Sequence, residues 1–310
     1  MKKIVISEFD LQEMVERQHY PVMYREVLNL LDLRQRRIVV DCTIGVGSHA
    51  YKIMEVMGRD SFLIGIDRDQ DSLSVANQRL KSFAGRFVLI KGDFSDLAKI
   101  LGKLNINRVD AFLFDLGIST YQLSNPQRGF SFLNEGPLDM RMDKDSFLSA
   151  YDLINNLSEG ELENIFKKFG EERYSRRIAH FLVEVRKKEP IATTTQLARM
   201  IKEIIPQSSR YYKIHPATRV FQSLRIAVNR ELEALKAGLS EAISFLNKGG
   251  RIAVISFHSL EDRIVKHLFR NYYTEGALNI ITKKPLEPSD LEKAENPSSR
   301  SAKLRVAEKK

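Results

Sequence analysis

The sequence predicts an α/β protein with a doubly wound, Rossmann-like sheet, and two observations lead to this prediction. Between residues 38 and 115, continuous apolar runs alternate with stretches that have the periodicity of amphipathic helices. Such runs are typical of parallel strands that are covered by helices on both faces. The first run also leads into a turn with two glycines, followed by a helix-compatible stretch. Ligands of such sheets bind beyond the carboxyl ends of the strands, so the residues after each run are candidate site residues.

The predicted elements follow one another in a regular order. The strands read RRIVVDCT, SFLIGIDRD, RFVLIKGDF and VDAFLFDLG, and the helices GSHAYKIMEVM and DSLSVANQRLKSF connect the first three. After Gln122 the strand pattern stops, and a loop rich in Gly, Pro, Asn and Asp precedes helical periodicity that extends to about Pro206. Strand character returns at GGRIAVISFHS, and LNIITKK with KLRVAEK predicts a closing hairpin. We therefore predict a sheet domain formed by residues 1–124 and 215–310, with an inserted helical domain at 125–214.

The composition is that of a soluble globular protein. Of the 310 residues, 43% are hydrophobic and 29% are charged. One cysteine excludes an internal disulfide, and six scattered histidines have no zinc-ligand spacing, so no metal is predicted. No apolar run approaches the roughly 18 residues of a membrane span, which predicts a cytoplasmic protein with no membrane partner.

The positive net charge of +9 is concentrated in one part of the chain. Residues 171–230 contain 13 Lys and Arg against 5 Asp and Glu. A solvated helix face is the commoner explanation of a block of one sign. The same excess is also expected of a protein that binds the phosphate backbone of a nucleic acid.

The glycine turn predicts a nucleotide-like ligand. Gly45 and Gly47 allow a sharp turn close to a ligand, and Asp67 ends the second strand 22 positions after Gly45, near the offset at which a carboxylate reaches a ribose. Ala50 stands where a dinucleotide site prefers a third glycine, so NAD stays open beside S-adenosylmethionine. Phe94, after the third strand, is a candidate for contact with an adenine, and Asp115, after the fourth, for contact with a substrate amine.

Longer motifs support one of these alternatives. DCTIGVGSH, GIDRD, DLGIS, RGFSF, GPLDMRMD, GEERYSRRIA, HPATRVFQSLRIAVNREL, ISFHSLEDRIVK and ENPSSRSAKLRVAEK occur in this order. Together they resemble the bacterial 16S ribosomal RNA cytosine-N4 methyltransferase family, from His19 onwards.

The resemblance implies S-adenosylmethionine as cofactor. The cofactor-binding residues that it implies, together with the glycine turn, are Gly45, Gly47, Ser48, His49, Asp67, Phe94, Asp115 and Gln122. Ser48, Asp93 and Tyr121 depart from the usual family pattern. Serine still presents its backbone amide, so we expect cofactor binding to survive this change. Without the resemblance, Gln122 would be interpreted as an exposed loop residue. Asp93 could equally well be the cap of the helix that follows it.

The resemblance also implies 16S ribosomal RNA as the partner, within the small ribosomal subunit, and it allows a homodimer. The basic block overlaps the inserted domain, which predicts that this domain binds the RNA. Arg173, Arg176 and Arg177 are predicted on one helix and, with Arg219, are the candidate RNA-binding residues. Surface pairing with neighbouring glutamates is the alternative. Tyr211 and Tyr212 are candidates for stacking on bases.

The residues of the chain also indicate which cytosine atom receives the methyl group. Methylation at carbon 5 of cytosine needs a cysteine nucleophile, and the chain has only Cys42, beside the glycine turn. Direct transfer to the exocyclic N4 amine needs no nucleophile, and Asp115 is the candidate catalytic residue that positions the amine. An NAD-type oxidoreductase on the same fold, and an RNA-binding protein without activity, are the alternative functions.

Overall fold

The structure is a computed structural model that describes residues 21–206 and 215–310. Tyr211 and Tyr212, the candidate stacking residues, lie outside the described residues. In the described part, no helix is both long enough and apolar enough to cross a membrane.

Seven strands in the described ranges form one sheet. They are β1 (Ile38–Asp41), β2 (Phe62–Asp67), β3 (Phe87–Lys91), β4 (Val109–Asp115), β5 (Leu246–Ser256), β6 (Leu278–Ile280) and β7 (Lys303–Lys309). The order across the sheet is β3-β2-β1-β4-β5-β7-β6. The first five strands pair in parallel, and β7 is antiparallel to both β5 and β6. The prediction of a doubly wound α/β sheet with a closing hairpin is confirmed.

This strand order determines where a ligand binds. The chain moves outwards from β1 to β2 and β3, and then returns to the other side of β1 to form β4 and β5. Such a reversal opens a crevice at the carboxyl ends of the two central strands, β1 and β4.

The helices are named here in chain order. They are α1 (Tyr24–Leu31), α2 (Ser48–Val56), α3 (Gln70–Arg79), α4 (Leu97–Lys103), α5 (Thr120–Ser124), α6 (Ala150–Asn156), α7 (Glu159–Gly170), α8 (Ser175–Arg186), α9 (Thr194–Ile204), α10 (Thr218–Asn229), α11 (Glu231–Phe245), α12 (Ser259–Thr274) and α13 (Asp290–Glu295).

The chain forms two compact units. The first extends to Thr120 and resumes at Lys236, and the second comprises Tyr121–Leu235. In the first unit, strand side chains such as Leu63 and Leu113 are fully buried against Ile53 of α2, which accounts for the continuous apolar runs. Helix α10 lies in the second unit, whereas the sequence-based limit at residue 214 assigned it to the sheet domain. The functional division into a sheet domain and an RNA-recognition domain stays a prediction.

The second unit shows why its helices begin and end where they do. Ser158 caps α7 in a capping box with Glu161. Helix α7 ends at Gly170 because Glu171 adopts a left-handed conformation, with φ of 47°. Since α8 begins only at Ser175, the prediction that Arg173 shares one helix with Arg176 and Arg177 was wrong.

Gly170 marks the closest approach of α7 to α10. A Cβ atom on Gly170 would lie 2.6 Å from the carbonyl oxygen of Arg219 and 3.3 Å from Cβ of Ser223. The oxygen belongs to helical backbone and cannot move aside without shifting α10. The packing of α7 against α10 therefore requires glycine at this position. Because of this close contact, α10 belongs with the helices of the insertion.

We predict that Gly170→Ala destabilises the protein by about 1–3 kcal/mol, the usual cost of overpacking a close contact. Gly160→Ala in the same helix is the matched control, because a Cβ atom there meets nothing within 4 Å. The control should be neutral or stabilising by up to about 1 kcal/mol. Urea unfolding of the two variants measures both effects, and equal stabilities would contradict this account of the helix contact.

Candidate active site

Three neighbouring strands of the sheet end in an aspartate. Asp41 ends β1, Asp67 ends β2 and Asp115 ends β4. Because β1 lies between the other two strands and all three are parallel, the carboxylates meet at one edge of the sheet, beside the crevice. This edge is the candidate active site of the first unit.

The glycine turn connects β1 to α2 at this edge. Gly45 and Gly47 have φ of 51° and 81°, a conformation that side chains with a Cβ rarely adopt. A Cβ atom on Gly47 would also lie 3.2 Å from Cβ of Ala76 in α3. Ser48 begins α2, and its hydroxyl accepts a hydrogen bond from the Arg79 guanidinium. The family departure at Ser48 is therefore accommodated by a contact to α3.

Asp67 holds the turn in place. Its carboxylate accepts hydrogen bonds from the amides of Gly45, at 2.8 Å, and of Asp69, at 2.9 Å. Burial raises the pKa of Asp67 to about 6, although both hydrogen bonds act in the opposite direction. A carboxylate has about four acceptor positions, so two bonds leave capacity for the hydroxyls of a ribose.

His49 and Asp115 form the second contact of the edge. Nδ1 of His49 lies 3.4 Å from Oδ2 of Asp115, and Nε2 lies 2.9 Å from the carbonyl oxygen of Val22. Burial acts to lower the pKa of His49, but the hydrogen bond to Asp115 and its charge, with smaller contributions from Asp41 and Val22, raise it above its ordinary value. His49 is buried, whereas the side chain of Asp115 is 25% exposed.

Two carboxylate oxygens at this edge lack a partner. Oδ2 of Asp41 and Oδ1 of Asp115 are buried, and neither has a hydrogen-bond partner among the described residues. Burial raises the pKa of Asp41 to about 7. Thr43 connects the two aspartates, because its amide donates to Oδ1 of Asp41 and its hydroxyl accepts from the amide of Asp115. Unsatisfied buried acceptors of this kind suit a ligand that carries hydrogen-bond donors or positive charge.

The predicted adenine contact lies after β3. The ring of Phe94 packs edge-on against Phe114, with centroids 5.4 Å apart, and the guanidinium of Arg68 lies 5.7 Å from the Phe94 centroid. Asp93 pairs with Arg68, and its carboxylate accepts from the amide of Ser95. Asp93 therefore caps the short helical turn that follows β3, which is the interpretation that the sequence allows without the resemblance.

Gly238 is a contact of Phe94 that the sequence analysis missed. A Cβ atom on this glycine of α11 would lie 2.6 Å from Cδ2 of Phe94 and 2.8 Å from its carbonyl oxygen. An isolated glycine within a helical pattern was the available signal, because it often marks such a close approach. Thr43 and Arg68 were also missed, and their residue types gave no comparable signal.

The remaining predicted residues lie in the second unit. Gln122 belongs to α5 and is buried, so the interpretation as an exposed loop residue was wrong. Arg173, Arg176, Arg177 and Arg219 are exposed, and the guanidinium of Arg219 donates to the carbonyl oxygen of Glu171.

An open depression of about 480 Å³ lies in this unit. Basic and acidic side chains line it in equal number, together with Ser175: Lys167, Arg173, Arg176, Glu163, Glu171 and Glu172. Arg177 is not among its lining residues. The depression itself is balanced in charge, so the excess of positive charge in this part of the chain lies elsewhere.

Comparison with known proteins gives a consistent result. The model of the MraW methylase family matches residues 16–310. The ribosomal RNA small subunit methyltransferase H of Persephonella marina is 49% identical over 292 residues, which cover 94% of this chain and 99% of that protein. The protein of the same name from Geobacter sulfurreducens is 48% identical over 307 residues, covering 94% and 98%.

Among solved structures, an rRNA methylase from Streptococcus thermophilus is 12% identical, with a TM-score of 0.40, and covers 92% of this chain and 93% of that chain. This likeness is too low to carry an argument.

The raised pKa of Asp41 predicts a pH dependence of stability. An aspartate titrates near 3.9 when unfolded and near 7 here, so the folded protein binds the proton more tightly. Asp41 therefore favours folding below about pH 4, and this contribution is lost as the pH rises to 7. We predict that Asp41→Asn flattens the dependence of the free energy of unfolding on pH. The change is a few kcal/mol at most, because one pKa unit corresponds to about 1.4 kcal/mol.

Urea unfolding between pH 4 and pH 8 measures the effect, and an extension below pH 4 measures the control Asp110→Asn, whose effect has the opposite sign. Burial acts to raise the pKa of Asp110, but hydrogen bonds from the Ile38 and Arg37 amides and from Asn247 lower it. The contribution of Asp110 is therefore present above about pH 4 and lost as the pH falls through its lowered pKa. An unchanged pH dependence in Asp41→Asn would contradict the burial of an ionisable carboxyl at this edge.

Proposed function

The chain belongs to the MraW methylase family, and from this membership we propose that it is an S-adenosylmethionine-dependent methyltransferase acting on 16S ribosomal RNA. The target is the exocyclic N4 amine of a cytidine in the decoding region, within the small ribosomal subunit. We therefore expect the protein in the cytoplasm. The family match over nearly the whole chain is the observation that carries this proposal. A homodimer stays a prediction of the sequence resemblance.

The residues at the edge of the sheet fit this cofactor. S-adenosylmethionine supplies a methyl group on a positively charged sulfonium, and it also carries an amino acid, a ribose and an adenine. The unpartnered oxygens of Asp41 and Asp115 complement its positive charge and its amino group. Asp67 has acceptor capacity for the ribose, and the half-buried ring of Phe94 offers an apolar contact for the adenine.

The glycine turn completes the proposed cofactor site in the first unit. Gly45 and Gly47 bring backbone close to the ligand without side chains, and the start of α2 at Ser48 and His49 favours a negatively charged group such as the amino-acid carboxylate. Gln122 is included because of the family resemblance.

Asp115 is the proposed catalytic residue. When the N4 amine attacks the methyl group, positive charge develops on the nitrogen and its hydrogens become more acidic. Oδ1 of Asp115, which is buried and lacks a partner among the described residues, can accept one of these hydrogens and stabilise the charge. Its second oxygen stays beside His49, which fixes the orientation of the carboxylate. Asp115 would therefore act by orientation and electrostatic stabilisation.

The alternative functions have less support. An oxidoreductase using NAD does not agree with membership of a methylase family, and Ala50 stands at the position of the third glycine of a dinucleotide turn. Methylation at carbon 5 is disfavoured by Cys42. This thiol is buried, and burial raises its pKa, which disfavours the thiolate that would attack the base.

The second unit is the proposed RNA-binding part. Residues 171–230 carry the excess of positive charge, and Arg176 and Arg177 project from α8 as exposed side chains. Phosphate contacts of this kind release counterions, so they contribute a salt-dependent part of the affinity. Five acidic groups in the block cannot neutralise all thirteen basic ones, and this excess supports the assignment.

We predict that replacing Arg173, Arg176 and Arg177 by Gln lowers the slope of log K against log salt for RNA binding. Each lost phosphate contact should reduce the slope by about 0.7–0.9. Filter binding between about 50 and 200 mM salt measures it. Replacement of Arg263, Lys266 and Arg270 by Gln is a matched control, because these exposed residues lie on α12 of the first unit. A slope that falls only in the control would show that the RNA binds elsewhere.

We predict that Cys42→Ala retains most activity and that Asp115→Ala loses it, because the direct reaction needs the carboxylate and no thiol. Methyl transfer to 16S ribosomal RNA and to small subunits, with substrate cytosine tritiated at carbon 5, measures both activity and mechanism. The tritium should remain on the base. Release of tritium, or a folded but inactive Cys42→Ala protein, would show that the direct N4 mechanism is wrong. Binding of S-adenosylhomocysteine by Asp115→Ala separates a loss of chemistry from a loss of cofactor.

A further inference from the structure

One peptide group connects the C-terminal helix α13 to His49. The carbonyl of Val22 and the amide N–H of Met23 belong to the same planar unit. The amide donates to Oε1 of Glu292 at 2.6 Å, and the carbonyl faces Nε2 of His49 at 2.9 Å. Glu292 is separated from Met23 by 269 positions in the sequence, and both residues are buried. A continuous path of contacts therefore extends from Glu292 through this peptide and His49 to Asp115.

The partners of His49 determine its protonation. A carbonyl oxygen only accepts hydrogen bonds, so Nε2 must carry a proton to interact with Val22. Nδ1 faces a carboxylate oxygen of Asp115, which is also an acceptor when ionised. The ring satisfies both neighbours at once only when both nitrogens are protonated.

We propose that Glu292 is a positioning residue of the cofactor site, because it holds the Val22 carbonyl against His49 and thereby keeps both ring nitrogens of His49 protonated beside Asp115. The step from His49 to the cofactor rests on the proposed function. The step from Glu292 to His49 stands on the geometry alone.

Electrostatics explain why a carboxylate is suited to this role. An amide that donates to a negative group becomes more polarised, and its carbonyl becomes a better acceptor for the next hydrogen bond. The path alternates in charge, with carboxylates at both ends and the imidazolium between the peptide and Asp115. The positive N-terminal end of the α2 dipole disfavours a cation at His49, and the two carboxylates offset this effect.

The peptide has little freedom to turn away. Met23 has φ of 52°, a left-handed conformation that residues other than glycine rarely adopt. Its side chain is fully buried in the core of the first unit, together with Val22 and Val27. Core packing therefore holds the peptide in this orientation, and Glu292 supplies an acceptor for the amide, which is not bonded within α1.

The charged groups around His49 come from three further elements. Asp115 on β4 and Asp41 on β1 favour its protonation. Glu292 on α13 also interacts with its charge, and burial raises the pKa of Glu292 while the Met23 amide acts in the opposite direction.

The proposal is tested by following the His49 ring nitrogens by NMR in the protein without cofactor, with His49→Gln to assign the signals. We expect Glu292→Ala to lower the His49 pKa by about one unit and to weaken S-adenosylhomocysteine binding about tenfold. Glu292→Gln keeps an acceptor for Met23 but removes the charge, so both effects should be smaller. Glu295→Ala is the matched control, because Glu295 lies exposed on the same helix.

The outcomes separate this proposal from the proposed function. An unchanged His49 titration in folded Glu292→Ala and Glu292→Gln proteins would overturn the proposal, as would equal effects in Glu295→Ala. If Glu292→Ala does not fold, Glu292→Gln alone decides through the His49 titration. Normal cofactor binding by His49→Gln would instead overturn the role of His49 in the site, and with it the step from His49 to the cofactor.

Discussion

The burial of one carboxylate beside two others is the constraint on which the site depends. Asp41, Asp67 and Asp115 end three neighbouring parallel strands, so the backbone brings them together whatever their charge. Burial is the main cause that raises the pKa of Asp41. The charges of Asp115 and Asp67 act in the same direction, and His49 and the Thr43 amide oppose them. A protein that keeps such a cluster accepts a cost in stability for its ligand site, because hydrophobic residues at the same strand ends would pack without repulsion.

Neighbouring groups compensate part of this cost in stability through hydrogen bonds and charge. The Asp67 carboxylate accepts from two backbone amides. Oδ2 of Asp115 lies beside His49, whose other ring nitrogen contacts the Val22 carbonyl, while Oδ1 of Asp115 has no partner among the described residues. Asp41 keeps one oxygen without a partner among the described residues. The glycine turn serves both purposes, since it supplies an amide to Asp67 and positions His49 at the start of α2. Charge compensation and ligand binding therefore use the same short segment.

The sequence predicted what depends on local pattern. The apolar runs predicted the parallel strands, and the residues that end them, Asp67 and Asp115, were identified because every such strand points its carboxyl end at the same edge. The helix break after Gly170 was missed, because it follows from the left-handed conformation of Glu171, whose carbonyl oxygen accepts from the distant Arg219. The link from Glu292 to Met23 was missed for the same reason, since it joins residues 269 positions apart. Which atom is methylated, and where the RNA lies, depend on partners that no local pattern encodes.

The position of β7 has a consequence for synthesis of the chain. Strand β6 is made before β7, yet it joins the sheet only through β7, and the outer edge of β5 is covered by the same strand. A nascent chain that ends between the two strands therefore presents an open edge along Ile252–Ile255, where the side chains are apolar and buried in the finished protein. Open apolar edges pair readily with other chains. This edge therefore stays open to pairing with other chains between the synthesis of β5 and that of β7, and pairing with β7 closes it.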